Sequence, residues 1–188
     1  MSVTQFLQTL KQGGARGNQF RVTLTFPAVA SGGLIAATKS QFLCDSASLP
    51  GQNVGITSMM YRGRQVKLAG ERTFDNWEVQ CVNDGDFSIH NAFESWMQAV
   101  NNKRDNTGLL DVAAYTVTMQ VEQLDRNDNT LKMYQFIEAF PVNISPIRLD
   151  FSDNDTIERF TVSFAYQSFD ATAFTAGVAT LSTNAGNL

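Results

Sequence analysis

Over most of this chain apolar and polar residues alternate one for one, and any fold must satisfy that period of two. Successive side chains of a strand point to opposite faces, so alternation makes one face apolar and leaves the other wet. In 18–27, Phe20, Val22, Leu24 and Phe26 alternate with Arg21, Thr23 and Thr25 until Pro27 ends the run. The pattern returns in 74–82, where Trp77, Val79 and Cys81 oppose Asn76, Glu78 and Gln80. It returns again from 115 to 122, where Tyr115, Val117, Met119 and Val121 oppose Thr116, Thr118, Gln120 and Glu122. Residues 131–140 are apolar on both faces, as a strand covered on both sides requires, and 147–151 and 157–169 complete the predicted set. One stretch breaks the period. Ile89, Ala92, Phe93, Trp96, Met97 and Val100 recur three and four apart, with Asn91, Glu94, Ser95 and Gln98 opposite, which predicts a helix over 88–101 capped by Ser88. The expected fold is mainly β: an antiparallel β-sandwich or barrel with one flanking α-helix whose stripe lies on a sheet face.

Residues 53–61 and 64–69 are strand-like and meet at Arg62-Gly63, which predicts a long protruding hairpin, 53–69, with its tip at Tyr61–Arg64. Met59, Met60, Tyr61, Val66 and Leu68 are mixed there with Arg62, Arg64, Lys67 and Arg72, and Glu71 is the segment's one acid. An arm both apolar and basic, on a chain of net charge −4, suits an acidic neighbour. Around it the sequence divides into a glycine-containing N-terminal arm over 1–17, a single β domain over 18–169 that includes an Ala/Ser/Gly loop at 28–40, and a neutral C-terminal tail over 170–188. The arm reads as a leader without a fold element. The tail, uncharged beyond Asp170, reads as flexible or ordered by a neighbour.

Composition narrows the function classes. An aromatic share of 11%, with 14 Phe among 188 residues, excludes disorder for the body of the chain. Charged residues are 17%, against about 25% in a typical soluble domain, so the surface is built largely from Asn, Gln, Ser, Thr and Gly and suits dense self-packing. A net charge of −4 disfavours tight nucleic-acid binding. No apolar run approaches the ~20 residues of a membrane span, and the first residues lack a secretory pattern, so the expectation is a chain made in the cytosol with no membrane insertion. Cys44 and Cys81 then read as buried free thiols, and the glycosylation patterns at Asn143 and Asn154 as chance.

Chemistry is sparse. His90 is the sole histidine and reads as a surface helix residue, since no Ser or Cys nucleophile motif accompanies it. With one histidine and two separated cysteines a zinc site has no ligand supply. Asp125-Arg-Asn127-Asp-Asn129 begins like a calcium loop, but Thr130 stands where the turn glycine belongs and Phe136 where the bidentate Glu belongs, so it reads as a hairpin turn. Gly13–Gly17 lacks the Lys-Ser/Thr of a phosphate loop. The expectation is no catalytic site, no metal and no cofactor.

The run Phe42-Leu43-Cys44-Asp45-Ser46-Ala47-Ser48-Leu49-Pro50-Gly51 and the arm Tyr61-Arg62-Gly63-Arg64-Gln65-Val66-Lys67-Leu68-Ala69-Gly70 are followed by Arg72-Thr73-Phe74, Trp77, Val82-Asn83-Asp84 and Asn91-Ala92-Phe93-Glu94-Ser95-Trp96-Met97. These blocks, in this order across 18–169, resemble the tail tube proteins of contractile-tailed bacteriophages of the T-even type. The loop at 28–40 and the neutral tail depart from that pattern. The resemblance implies a homo-oligomer: rings of six copies stacked into a tube within a contractile sheath, a virion component assembled in the host cytoplasm, through which DNA is ejected. It also implies sheath, baseplate and tail-terminator proteins as partners, with the genome passing without tight binding.

The residues fit such an assembly. Joining sheets around a ring removes open edges. Met59, Met60, Tyr61, Arg62, Gly63, Arg64 and Lys67 are the candidate ring-to-ring or subunit contact, and Asp150, Asp153, Asp155 and Glu158 the candidate acidic partner strip. That acidic cluster also reads as a plain solvated connection. A conduit for DNA should expose carboxylates and amides rather than cations, because each lumenal Lys or Arg would hold phosphate. Candidate wall residues are Glu78, Gln80, Thr118, Gln120, Glu122, Thr161 and Ser163; the same faces could instead meet outer solvent or sheath. The alternatives are a type VI secretion or tailocin-like tube, or an all-β ligand-binding module using Trp77.

Overall fold

The computed structural model describes residues 2–9, 14–152, 154–175 and 178–180. In chain order the elements are α1 (Val3–Thr9), β1 (Phe20–Thr23), α2 (Gly33–Leu43), β2 (Cys44–Ala47), β3 (Gln52–Tyr61), β4 (Arg64–Phe74) and β5 (Trp77–Val82). There follow α3 (Ser88–Val100), α4 (Val112–Tyr115), β6 (Val117–Leu124), β7 (Thr130–Ile144), β8 (Arg159–Ala165), β9 (Ser168–Thr175) and β10 (Val178–Thr180).

The main sheet is antiparallel and runs β1-β6-β7-β8-β5-β2, with β9 added along β7 and β10 along β9. Among the described residues it does not close on itself, and its architecture is sandwich-like. Strand β7 explains how. Its first part, through Ala139, pairs with β6, and Lys132–Ile137 also pair with β9; from Phe140 onward it pairs with β8 instead. At the changeover Glu138 has φ 55°, a left-handed conformation uncommon outside glycine, and the β6 register slips between Val117 and Met119. This bulge turns β7 from one half of the sheet into the other, so both faces of β7 find cover, as its doubly apolar sequence demands.

Between the halves sits an aromatic core. The inward residues of β5 (Trp77, Val79, Cys81), β8 (Phe160, Val162, Phe164) and β6 (Met119, Val121) are buried, as the period of two predicts. Helix α3 lays Ile89, Ala92, Phe93 and Trp96 on them, with the Phe93 ring 5.7 Å from Phe164. Trp77 stacks on Phe136 at 4.2 Å and donates its indole N–H to the Ser48 carbonyl at 2.8 Å, while Trp96 donates to the Tyr115 carbonyl at 2.8 Å, so neither large ring buries an unpaired donor. Full burial of each such side chain contributes on the order of 1.5–3 kcal/mol.

Several expectations are corrected. Most of the loop expected at 28–40 is helical instead: residues 33–40 belong to α2, which runs on to Leu43. That helix packs through small residues, Gly33, Ala36 and Ser40, and presents Leu34, Ile35 and Phe42 outward, so it carries no inward apolar stripe to read. A Cβ on Gly33 would stand 2.7 Å from Phe26 Cβ, which is how closely the helix approaches. The N-terminal arm contains α1, opened by a reciprocal cap in which the Gln5 amide donates to Ser2 Oγ and the Ser2 amide to Gln5 Oε1. Ser88 does not cap α3. Phe87 is the cap residue, and the Asp84 carboxylate accepts both the Ser88 amide (2.9 Å) and the Ser88 hydroxyl (2.7 Å). Residues 147–151 are not a strand: the Ser145 amide makes the last ladder bond, to the Thr161 carbonyl, and Pro146 has no N–H to continue it. Finally, β9 and β10 extend regular pairing into the neutral tail as far as Thr180, and residues 181–188 lie outside the described residues.

Candidate assembly interface

The predicted hairpin is present and longer than its sequence signal. β3 and β4 form a two-stranded sheet of their own that pairs with no other strand among the described residues. Its turn is Arg62-Gly63, both at positive φ (48° and 77°), the pairing of left-handed residues that matches the twist of two strands. Tyr61 faces Arg64, Met59 faces Val66 and Thr57 faces Leu68, so these six share one face; Met60, Gln65, Ser58, Lys67, Ile56 and Ala69 share the other. The apolar and basic residues that the sequence interleaves are thereby sorted. The first face is apolar with Arg64 at its tip; the second mixes Ile56 and Met60 with Lys67. Arg62 lies over the Tyr61 ring at 5.5 Å.

Every residue of β3 is exposed, and β4 is exposed except for Gly70 and Phe74. Near the root, Gly55 and Gly70 cross so closely that a Cβ on Gly70 would lie 3.1 Å from the Gly55 carbonyl, and the register slips between Val54 and Ile56. The root itself is anchored by Phe74, whose ring lies 5.8 Å from Tyr166 and 5.6 Å from Phe169. Beyond it, a two-stranded ribbon with Met59, Met60, Tyr61, Val66 and Leu68 in water is marginal alone.

The acidic strip is more mixed than its sequence suggests. Residues 147–151 and 156–159, with Gln80, line an open cleft of about 600 Å3 whose walls include Ile147, Leu149, Phe151 and Ile157. Asp150 accepts from the Ser152 hydroxyl and amide and pairs with Arg148 at 2.6 Å; these contacts hold its carboxyl below the usual range. Asp155 is exposed. Glu158 is held by Asn83, which donates its side-chain amide to Glu158 Oε2 and its backbone amide to the Glu158 carbonyl, both at 2.9 Å. Arg159 pairs with Asp45 at 2.6 Å. Asp153 lies outside the described residues.

Of the candidate wall residues, four gather on one patch: Glu78 is the register partner of Ser163 and Gln80 of Thr161, on the face of β5 and β8 opposite the core. Ser163 is a correction to the expected wet face. It is only 9% exposed, because its short side chain sits between Glu78 on β5 and Asn143 on β7. Thr118, Gln120 and Glu122 follow one another along β6, where Glu122 accepts from Thr130 Oγ1 and Gln120 Nε2 and lies 3.7 Å from Arg21. His90 packs edge-on against Phe160 at 5.1 Å and is mostly covered rather than a free surface residue.

Sequence reasoning missed the exposed apolar residues of α2 and the cleft. It also missed the role of Phe74 at the hairpin root, which no local pattern marks.

The sequence model of the family described as phage tail tube protein matches residues 15–172. The chain belongs to the phage tail tube protein family. It is 27% identical over 170 residues to the tail tube protein of Serratia phage KSP90, covering 88% of this chain and 94% of that one. It is 26% identical over 152 residues to tail tube protein gp19 of Enterobacteria phage T4, covering 80% and 88%. Among solved structures, a chain of the anti-feeding prophage cap structure (the tube-terminating cap) has a similar fold (TM-score 0.63, 16% identity, 85% of this chain and 91% of that). So does a chain of the extended sheath–tube complex of an extracellular contractile injection system (TM-score 0.56, 14% identity, 93% and 99%). The resemblance read from the sequence is borne out: this tail tube family member is a structural protein of the phage virion, not an enzyme.

Proposed function

We propose that copies of this chain close into rings, six to a ring, which stack into the inner tube of a contractile tail and conduct the genome during ejection. The observation that carries the reading is the β3–β4 hairpin: it has no outside strand partner among the described residues and an apolar face in water, so a second copy is its natural cover. Its partner on the next subunit would be the cleft lined by 147–151 and 156–159, where Leu149, Phe151 and Ile157 match the hairpin's apolar face and Asp150 and Glu158, with the exposed Asp155 nearby in sequence, its Arg62, Arg64 and Lys67. Glu78, Gln80, Thr118, Gln120, Glu122 and Thr161 are the proposed wall, where carboxylates and amides repel or ignore a passing polyanion. Sheath, baseplate and terminator proteins are the proposed partners.

Electron microscopy of the purified protein at high concentration tests this: rings or hollow tubes are expected, and a strictly monomeric species overturns it. A secretion-type tube is the second reading, supported by the similar fold of an Hcp protein (TM-score 0.51, 13% identity). The phage relatives favour the first.

A further inference from the structure

The two cysteines, well separated in sequence, are brought together by a register that no local pattern announces. Cys44 opens β2, an edge strand paired only with β5 among the described residues, and its register partner across that pair is Cys81. Their Sγ atoms are 3.4 Å apart and both are free thiols, Cys81 fully buried and Cys44 half-buried. Directly opposed antiparallel residues have Cα atoms about 4.5–5.5 Å apart, inside the ~4.4–6.8 Å span that disulfides bridge. The sulfurs therefore need to approach by little more than an ångström to reach the ~2.05 Å of a covalent bond. A register shift between Cys44 and Ser46 already interrupts the ladder beside Cys44, where a small backbone movement breaks no further regular pairing.

We propose that Cys44 and Cys81 are a cross-strand dithiol site whose oxidation by a low-molecular-weight disulfide staples β2 to β5 and closes the loop that carries the entire β3–β4 hairpin. The more accessible Cys44 thiolate attacks one sulfur of the oxidant, here oxidised glutathione, and expels one molecule of glutathione. The resulting mixed disulfide lies against Cys81, which gives its proton to solvent, attacks Cys44 Sγ and expels the second glutathione. Two protein thiols are oxidised and one small disulfide is reduced to two thiols. The order follows from the burial of Cys81, whose thiol is also pushed well above its ordinary range by its hydrogen bond to Cys44 and by desolvation. A reducing cytosol keeps the pair open and an oxidising exterior closes it. The staple restrains the unfolded chain and the edge strand from which the hairpin departs.

The test uses the full chain, independently of whether it forms tubes. The protein is incubated with excess oxidised glutathione, quenched in acid denaturant, and examined by intact mass, thiol titration and non-reducing electrophoresis, with a thermal melt in parallel. The expected product is a monomer lighter by two hydrogens, with no titratable thiol and a raised melting midpoint that returns to the starting value with reductant. Stable glutathione adducts, covalent dimers as the main product, or persistence of both thiols overturn the proposal. Cys44→Ser and, separately, Cys81→Ala each leave one thiol and should show no oxidant-dependent rise in midpoint. The same rise in either variant overturns the staple.

Discussion

Phe74, the last residue of β4, sets its ring edge-on against Phe169 of β9 at 5.6 Å, joining the outlying hairpin to the main sheet by aromatic packing rather than by a shared ladder. The hairpin's aim therefore depends on a side chain. Phe74→Ala should leave the core intact, with a loss of about 1–3 kcal/mol because the site is only half-buried. Tube formation should suffer more than stability does, as compared by denaturant unfolding and electron microscopy of the same sample.

Arg62→Glu with Arg64→Glu reverses the charge at the hairpin tip without touching the core. The double variant should keep the wild-type melting midpoint and fail to assemble. Normal tubes from it would remove the tip from the interface.

Trp96 fills the space between Phe26 and Phe164, with centroids 5.7 and 6.5 Å away, and its indole N–H is paired. Trp96→Ala should cost about 3–5 kcal/mol, read as a lowered denaturant midpoint, because both a cavity and an orphaned Tyr115 carbonyl result.

Asp84 links α2 to α3: it caps the Ser88 amide and pairs with Lys39 Nζ at 2.5 Å. Desolvation raises its carboxyl, but the hydrogen bonds from Lys39 and Ser88 prevail and hold it below the ordinary range. A folded value below the unfolded one means that this stabilisation is full above the unfolded carboxylate pKa of about 3.9. It is lost as pH falls from there through the folded value. Lys39 is shifted the other way, raised chiefly by its hydrogen bond to Asp84, so its share is lost only in strong alkali, as pH climbs through the folded lysine value. Asp84→Asn keeps acceptors for Ser88 but removes the charge paired with Lys39, and should lower stability at neutral pH by about 0.2–1 kcal/mol and flatten the acid limb of a melting-temperature profile. An unchanged acid limb would rule this carboxylate out as its source.

What could be read in advance was whatever a local period encodes. The inward faces of β5, β6 and β8 and the stripe of α3 follow from spacing alone, as does the Arg62-Gly63 turn. Helix α2 was hidden because Gly33, Ala36 and Ser40 make its inward face, and close approach selects small residues that patterns do not weigh. Ile147, Leu149 and Phe151 alternate like a strand, yet a strand needs a partner ladder, and Pro146 withholds the next donor. Ser163 alternates correctly but its neighbours cover it, since burial on a central strand depends on the lengths of flanking side chains. The Cys44–Cys81 encounter was illegible for the same kind of reason: cross-strand register is a property of the whole sheet.

The bulge at Glu138 leaves β7 as one unbroken length of backbone belonging to both halves of the sheet. A pull on one half of the sheet therefore reaches the other along the β7 backbone as well as across the hydrogen-bonded ladders that join β7 to β6, β8 and β9. Such a tendon lets the two halves move together under load instead of shearing past each other.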